Sequence, residues 1–138
     1  MAVFAALRKK VWRRANERCE YCLVPVGFDA SPACIDHIIA LKHRGPTTAA
    51  NLALSCYHCN SFKGDNIAGI DPKTFQLTSL YHPRDDDWTE HFSWSGTAII
   101  GRTPAGRATA YVLNLNDPDR VLLRQLLVAA DLMQLSTT

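Results

Sequence analysis

The chain opens on a helical pattern. Phe4, Leu7, Val11 and Ala15 recur at three- and four-residue spacing, with the basic residues mostly off that stripe, so residues 3–18 are expected to form a helix. Pro25, Gly27, Ser31 and Pro32 mark a loop. Residues 34–41, Cys-Ile-Asp-His-Ile-Ile-Ala-Leu, read as a strand of mixed burial. A polar stretch with Gly45, Pro46, Thr47 and Thr48 separates it from a second short strand, Leu52-Ala53-Leu54. A short helix should start near Tyr57 and stop at Gly64. In the second half, Asp71-Pro72 opens a turn, and Ala98–Arg102 and Thr109–Leu115 are strand-like. Pro104-Ala105-Gly106 between them suggests a hairpin. Asp117 is an N-cap ahead of Pro118, and Val121, Leu122, Gln125, Leu126, Ala129 and Met133 carry an amphipathic helix. That helix is too apolar to stand alone, so the hairpin or a partner should cover it.

Composition narrows the class. Apolar residues make up 47% of the 138 and charged residues 20%, which is globular composition and not that of a disordered chain or coiled coil. No apolar run approaches the roughly 20 residues of a membrane-spanning helix. At the N-terminus charge follows the apolar stretch, the reverse of a secretory signal, so a cytoplasmic location is expected. The net charge of +2 is unevenly placed, because Arg8, Lys9, Lys10, Arg13, Arg14 and Arg18 all fall in the first helix. Both a solvated helix face and a phosphate-facing patch fit that cluster.

Four of the five cysteines form two identical units, Cys19-Glu-Tyr-Cys22 and Cys56-Tyr-His-Cys59. A two-residue gap lets a knuckle direct two sulfurs to one point, and two knuckles complete a tetrahedral zinc shell. Two pairs in a chain without an export signal favour structural zinc over disulfides or a redox motif. A closed shell of four thiolates leaves no open position, so this metal would staple and not catalyse. Arg18 and Lys63 are the nearby cations expected to offset its negative charge. Cys34 is expected to be a small buried hydrophobe.

The segment between the knuckles carries Asp36-His37 on the first strand, Asn51 before the second and Asn60 just past Cys59. Carboxylate and amide oxygens suit a hard cation such as Mg2+ or Mn2+, with positions left for water and phosphate. A neutral imidazole nearby can take a proton from water near pH 7.

Taken together, Cys19-x-x-Cys22, Asp36-His37-Ile38-Ile39 and Asn51-Leu52-Ala53-Leu54-Ser55-Cys56-x-x-Cys59-Asn60-x-x-Lys63-Gly64 resemble an HNH nuclease of the ββα-metal class, with Asn in the third motif position. The match covers about residues 14–66. Gly69-Ile70-Asp71-Pro72, His82-Pro83-Arg84, Trp88-Thr89-Glu90-His91-Phe92 and Gly106-Arg107-Ala108-Thr109 resemble the downstream half of small stand-alone bacterial HNH proteins. The chain departs from the family pattern twice: Ala40 stands where a proline is usual, and Arg44 precedes Gly45 where a Gly-Gly step is usual.

The resemblance implies an α+β fold. A zinc-stapled ββα-metal core at residues 1–66 would carry the N-terminal helix, and an extension at 67–138, a β-hairpin and a helix, would pack on or beside it. It also implies a DNA endonuclease leaving 5′-phosphate and 3′-hydroxyl ends. His37 would be the general base, Asp36 and Asn60 would hold one catalytic Mg2+ or Mn2+, and Asn51 would order the loop and orient His37. Lys63, Arg13, Arg14 and His58 are the candidate DNA phosphate contacts. Asp85-Asp86-Asp87 is expected to be a solvated loop, and Trp88, Phe92 and Trp94 to be core. The alternative is a zinc-stapled, non-catalytic nucleic-acid-binding module. A homodimer or a protein partner through the C-terminal helix fits either reading.

Overall fold

The computed structural model describes residues 2–135. The chain divides between Ile67 and Ala68 into two compact units.

The first unit begins with helix α1, Ala2–Arg14. Its inward stripe delivers Val11, fully buried, and Ala15 just past the helix end, against Leu52 and Leu54. Burial of such aliphatic side chains stabilises by roughly 1.5–3 kcal/mol each. The helix stops short of residue 18 because Asn16 and Glu17 both take left-handed backbone conformations, at φ 53° and 55°. Strand β1, Cys34–His37, pairs antiparallel with β2, Leu52–Ser55, in the register Asp36 to Ala53 and His37 to Leu52. Helix α2, Tyr57–Lys63, follows at once, capped by the Cys56 sulfur, and ends at Gly64, whose φ of 53° and ψ of −131° suit glycine. The expected strand continued to residue 41. It ends at His37 because the Asn51 side chain takes both backbone groups of Ile39 and so breaks the ladder.

The loop between β1 and β2 turns on two adjacent residues. Arg44 is left-handed, at φ 69°, and closes the 3-10 turn Leu41–His43 with its N–H on the Leu41 carbonyl. Gly45 supplies the close approach: a Cβ there would sit 1.6 Å from the Ile39 carbonyl oxygen. One glycine and one strained arginine therefore do what a Gly-Gly step would do.

The second unit holds two antiparallel hairpins, β3 (Ala68–Ile70) with β4 (Leu77–Ser79) and β5 (Phe92–Ser95) with β6 (Ala98–Gly101). It also holds helices α3 (Trp88–His91), α4 (Pro104–Val112) and α5 (Pro118–Ala129). The hairpin expected from Ala98–Arg102 and Thr109–Leu115 is a misreading, since β6 pairs backwards with β5 and residues 104–112 are helical. Thr103 caps α4 by accepting from the Gly106 N–H, and Pro104 takes the first helical position, where its missing N–H costs nothing. Asp71, excluded from solvent, accepts from both Nε and a terminal nitrogen of Arg107, at 2.9 and 2.8 Å, tying the first hairpin to α4.

Asp117 caps helix α5 ahead of Pro118 as expected, but the buried face is not the apolar stripe. Leu122 and Leu126 are exposed, at 51% and 60%, while Arg120, Arg124 and Leu127 are buried. Arg124 donates from Nε to the Thr97 carbonyl at 2.7 Å and from a terminal nitrogen to Asn116 Oδ1 at 3.2 Å. Asn116 in turn bonds both backbone groups of Ile99. A hydrogen-bonded arginine thus docks the helix on the β5–β6 hairpin, so the hairpin covers it by its polar side. Trp88 and Phe92 are buried and Trp94 half-buried in one aromatic cluster, with ring centroids 5.1–5.4 Å apart. The acidic run is put to local use: Asp87 caps α3 and Asp86 accepts from the His82 N–H.

Candidate functional site

The two knuckles converge. The Sγ atoms of Cys19, Cys22, Cys56 and Cys59 lie within 4.8 Å of one another, and all four residues are buried. Cys22 Sγ and Cys56 Sγ are 3.7 Å apart. A tetrahedron with Zn–S bonds of about 2.3 Å has edges of about 3.8 Å, so the thiols already stand at zinc spacing. Backbone N–H groups of Tyr21 and Cys22 point at Cys19 Sγ, and that of Cys59 at Cys56 Sγ, which suits thiolates. Hydrogen bonding to Cys19 and Cys22, together with burial, pushes the Cys56 thiol far up, an arrangement that a bound cation reverses. Glu20 locks the first knuckle to β2: its backbone N–H donates to the Leu54 carbonyl and its carboxylate accepts from the Leu54 N–H, both at 2.8 Å. The four cysteines form a buried cluster whose donor type and spacing suit zinc. Cys34 stands apart, half-buried, with its thiol on the Pro32 carbonyl.

Beside the staple lies an open groove of about 340 Å³ lined by Asp36, His37, Asn60, Ala40, Lys42 and Asp65, among others. Three of the sequence-predicted residues, Asp36, His37 and Asn60, share it. Asp36 is nearly inaccessible and accepts from the Tyr21 hydroxyl at 2.7 Å and from Lys63 Nζ at 3.2 Å. Burial pushes its carboxyl up, and Lys63 and Tyr21 pull it back without cancelling the rise. Oδ2 meets both donors and Oδ1 only the ammonium, so Oδ1 keeps acceptor capacity for a hard cation. With the Asn60 amide, the donor set fits a divalent ion that retains water and phosphate ligands. Lys42 and Asp65 form an exposed ion pair at 2.8 Å on the rim.

His37 is half-buried, with Nε2 2.9 Å from Thr47 Oγ1. Asn51 lies beneath the loop. Its Oδ1 accepts from the Ile39 N–H, and its Nδ2 donates to the Ile39 and Pro46 carbonyls, each at 2.9 Å. It orders the loop that carries Thr47, but the His37 carbonyl itself is taken by Lys63, at 3.2 Å.

Two expected phosphate contacts are corrected. Lys63 is 1% exposed, and its ammonium is turned inward onto Asp36 and the His37 carbonyl. It is the partner of Asp36 and not of DNA, nor does it face the zinc shell as expected. Arg14 is half-buried and donates to the Leu52 carbonyl, with burial lowering its pKa. Arg13 is exposed, as are Arg8, Lys9 and Lys10. Arg8, Lys9 and Arg13 line a second groove with Trp12, and the Arg8 guanidinium lies 5.6 Å from the Trp12 ring centre. His58 sits on α2 with its ring 4.7 Å from that of Phe62. Thr47 and Tyr21 were not foreseen. Thr47 lies in a polar loop where nothing distinguishes it from Thr48, and Tyr21 lies inside a motif already accounted for by zinc.

Among known proteins, the family model of the HNH endonucleases matches residues 19–66, the segment from the first knuckle to just past the end of α2. That segment is similar to an HNH endonuclease domain. Over 117 residues the chain is 25% identical to the Septu protein PtuB of Bacillus thuringiensis, a match that covers 83% of this chain and 42% of that protein. The chain thus spans less than half the length of the curated relative it matches. No solved structure matches the chain. Among the described residues, no helix is long and apolar enough to cross a membrane.

Proposed function

We propose that this chain is a metal-dependent DNA endonuclease acting by a one-metal, His general-base mechanism. The observation that carries the reading is the sharing of one groove by Asp36, His37 and Asn60, within the segment that holds the four-cysteine cluster and matches the HNH family model. Asp36 and Asn60 would hold a Mg2+ or Mn2+ ion, which offsets charge on the scissile phosphate and the leaving 3′-oxygen. His37 Nε2 lies 2.9 Å from Thr47 Oγ1; in the tautomer that donates from Nε2 to this hydroxyl, the Nδ1 lone pair is left to accept a proton from the attacking water. The products carry 5′-phosphate and 3′-hydroxyl ends. Asn51 acts through the loop, by fixing the backbone that presents Thr47 to His37.

The exposed basic face of α1 (Arg8, Lys9, Lys10 and Arg13) supplies the backbone contacts to DNA, and Arg14 supplies none. A binding module would be better served by Arg or Lys than by a carboxylate and an amide in the groove, which favours the enzyme over the non-catalytic alternative. Supercoiled plasmid incubated with the protein and Mg2+ or Mn2+ should be nicked, and EDTA should stop the reaction. Nicking in EDTA equal to that with metal would refute the mechanism.

A further inference from the structure

Asp36 is gripped from two sides, and each side belongs to a different zinc knuckle. Tyr21 lies between Cys19 and Cys22, with its backbone N–H on Cys19 Sγ at 3.4 Å and its hydroxyl on Asp36 Oδ2 at 2.7 Å. Lys63 is the last residue of the helix that Cys56 caps and that carries Cys59. Its Nζ donates to Asp36 Oδ1 and to the His37 carbonyl oxygen, each at 3.2 Å, and forms an ion pair with Asp36 Oδ2, also at 3.2 Å. A buried ion pair is a poor way to stabilise a fold, since an apolar pair of similar volume does as well or better. This pair does something an apolar pair would not: it bonds Asp36 and the backbone of His37 to one point. It also leaves Asp36 and Lys63 with no net charge between them.

Resting on the nuclease reading above, we propose that Lys63 and Tyr21 are the positioning residues of the site. They hold Asp36 and His37 in one register to the zinc staple. The Lys63 charge keeps a divalent ion weakly bound until a DNA phosphate adds its own negative charge. Neither residue touches substrate; Tyr21 acts through Asp36, and Lys63 through Asp36 and the His37 backbone.

The test combines calorimetric titration of Mn2+ into the zinc-loaded full-length chain, without DNA, with single-turnover plasmid nicking at saturating Mn2+. Lys63→Met removes a positive charge beside the carboxylate, so Mn2+ should bind at least about tenfold tighter. Its nicking should slow at least about tenfold, because the two site residues lose their common anchor and small misplacements are costly. Tyr21→Phe deletes one oxygen, so it should keep zinc and melt near the parent yet nick about tenfold more slowly at saturating DNA. A Lys63 that only braces the fold predicts a lower melting temperature with Mn2+ affinity unchanged or weaker, and that result overturns the proposal. Should Lys63→Met fail to fold or to hold zinc, Tyr21→Phe decides: a tenfold loss supports the clamp and a parental rate overturns it. A parent that neither binds Mn2+ nor nicks overturns the nuclease reading and the clamp's catalytic role with it. A parent that does both beside variants that match it overturns the clamp alone.

Discussion

Truncating Asn51 to alanine removes three hydrogen bonds at once and changes almost nothing else. The side chain is nearly inaccessible, and its bonds to the Ile39 N–H, the Ile39 carbonyl and the Pro46 carbonyl are all 2.9 Å long. Its backbone bonds, Ile38 N–H to the Asn51 carbonyl and Asn51 N–H to the Thr48 carbonyl, survive the substitution. At about 1 kcal/mol net per bond, the loss is about 3 kcal/mol. In a unit of under 70 residues each kcal/mol moves the midpoint by roughly 4–8 °C, so the melting temperature should fall by roughly 12–24 °C. Heat-induced zinc release to a chromophoric chelator reports this unit alone, because all four thiols lie within it. Asn51→Asp is the companion variant. It keeps the acceptor for the Ile39 N–H but sets a carboxylate oxygen against two carbonyls, and should be no more stable than the alanine variant near pH 7. A drop below about 4 °C for Asn51→Ala, the scale of a single bond, would refute the loop's dependence on this side chain.

Removing zinc with a strong chelator should unfold the first unit, because metal binding of about 10–16 kcal/mol matches or exceeds the stability of a small domain. Circular dichroism unchanged on chelation would contradict this. Arg44→Gly should stabilise by about 0.5–1 kcal/mol, since relief of a left-handed residue outweighs the added freedom of the unfolded chain, whereas Gly45→Ala should be strongly destabilising; urea melts in the opposite order would be inconsistent with the loop geometry. Arg107 holds the Asp71 carboxyl far below its ordinary value of about 3.9, so this pair's contribution is complete above that pH and is lost as pH falls toward the lower folded value. The second unit should therefore weaken in acid below about pH 4, and Asp71→Asn should flatten that limb in tryptophan-monitored unfolding; parallel limbs would count against the pair.

The convergence of the four cysteines was legible because four thiols at a two-residue spacing suit little besides a tetrahedral metal, and the ββα order followed from short apolar strands and the glycine at 64. Asp36, His37 and Asn60 were legible as a group for their chemistry. What could not be read was direction. Lys63 follows Asn60 by one turn and looks like a phosphate ligand, but its ammonium turns inward because a buried carboxylate lies within reach. The C-terminal helix misled in the same way, since hydrophobic periodicity pointed to Leu122 and Leu126 while the buried face belongs to an arginine with carbonyl partners. Residues 109–115 looked like a strand and Pro104-Ala105-Gly106 like a turn, whereas Thr103 and Pro104 form the cap of a helix that runs to Val112. For Lys63 and the C-terminal helix, a satisfied polar group overrode the surface pattern.

The central claim is that His37 is the general base of a metal-dependent nuclease, and the most direct test is single-turnover plasmid nicking by the parent and His37→Ala proteins at saturating Mg2+ or Mn2+ across neutral and acidic pH. A positioned base is typically worth about 10²–10⁴ in rate, so His37→Ala should slow nicking by that order while zinc content and DNA binding stay close to the parent's. The parent's rate should fall as pH drops and the imidazole takes up its proton, and the variant's residual rate should lack that limb. Equal rates for the two proteins, with the same pH profile, would contradict the account and leave only a zinc-stapled fold.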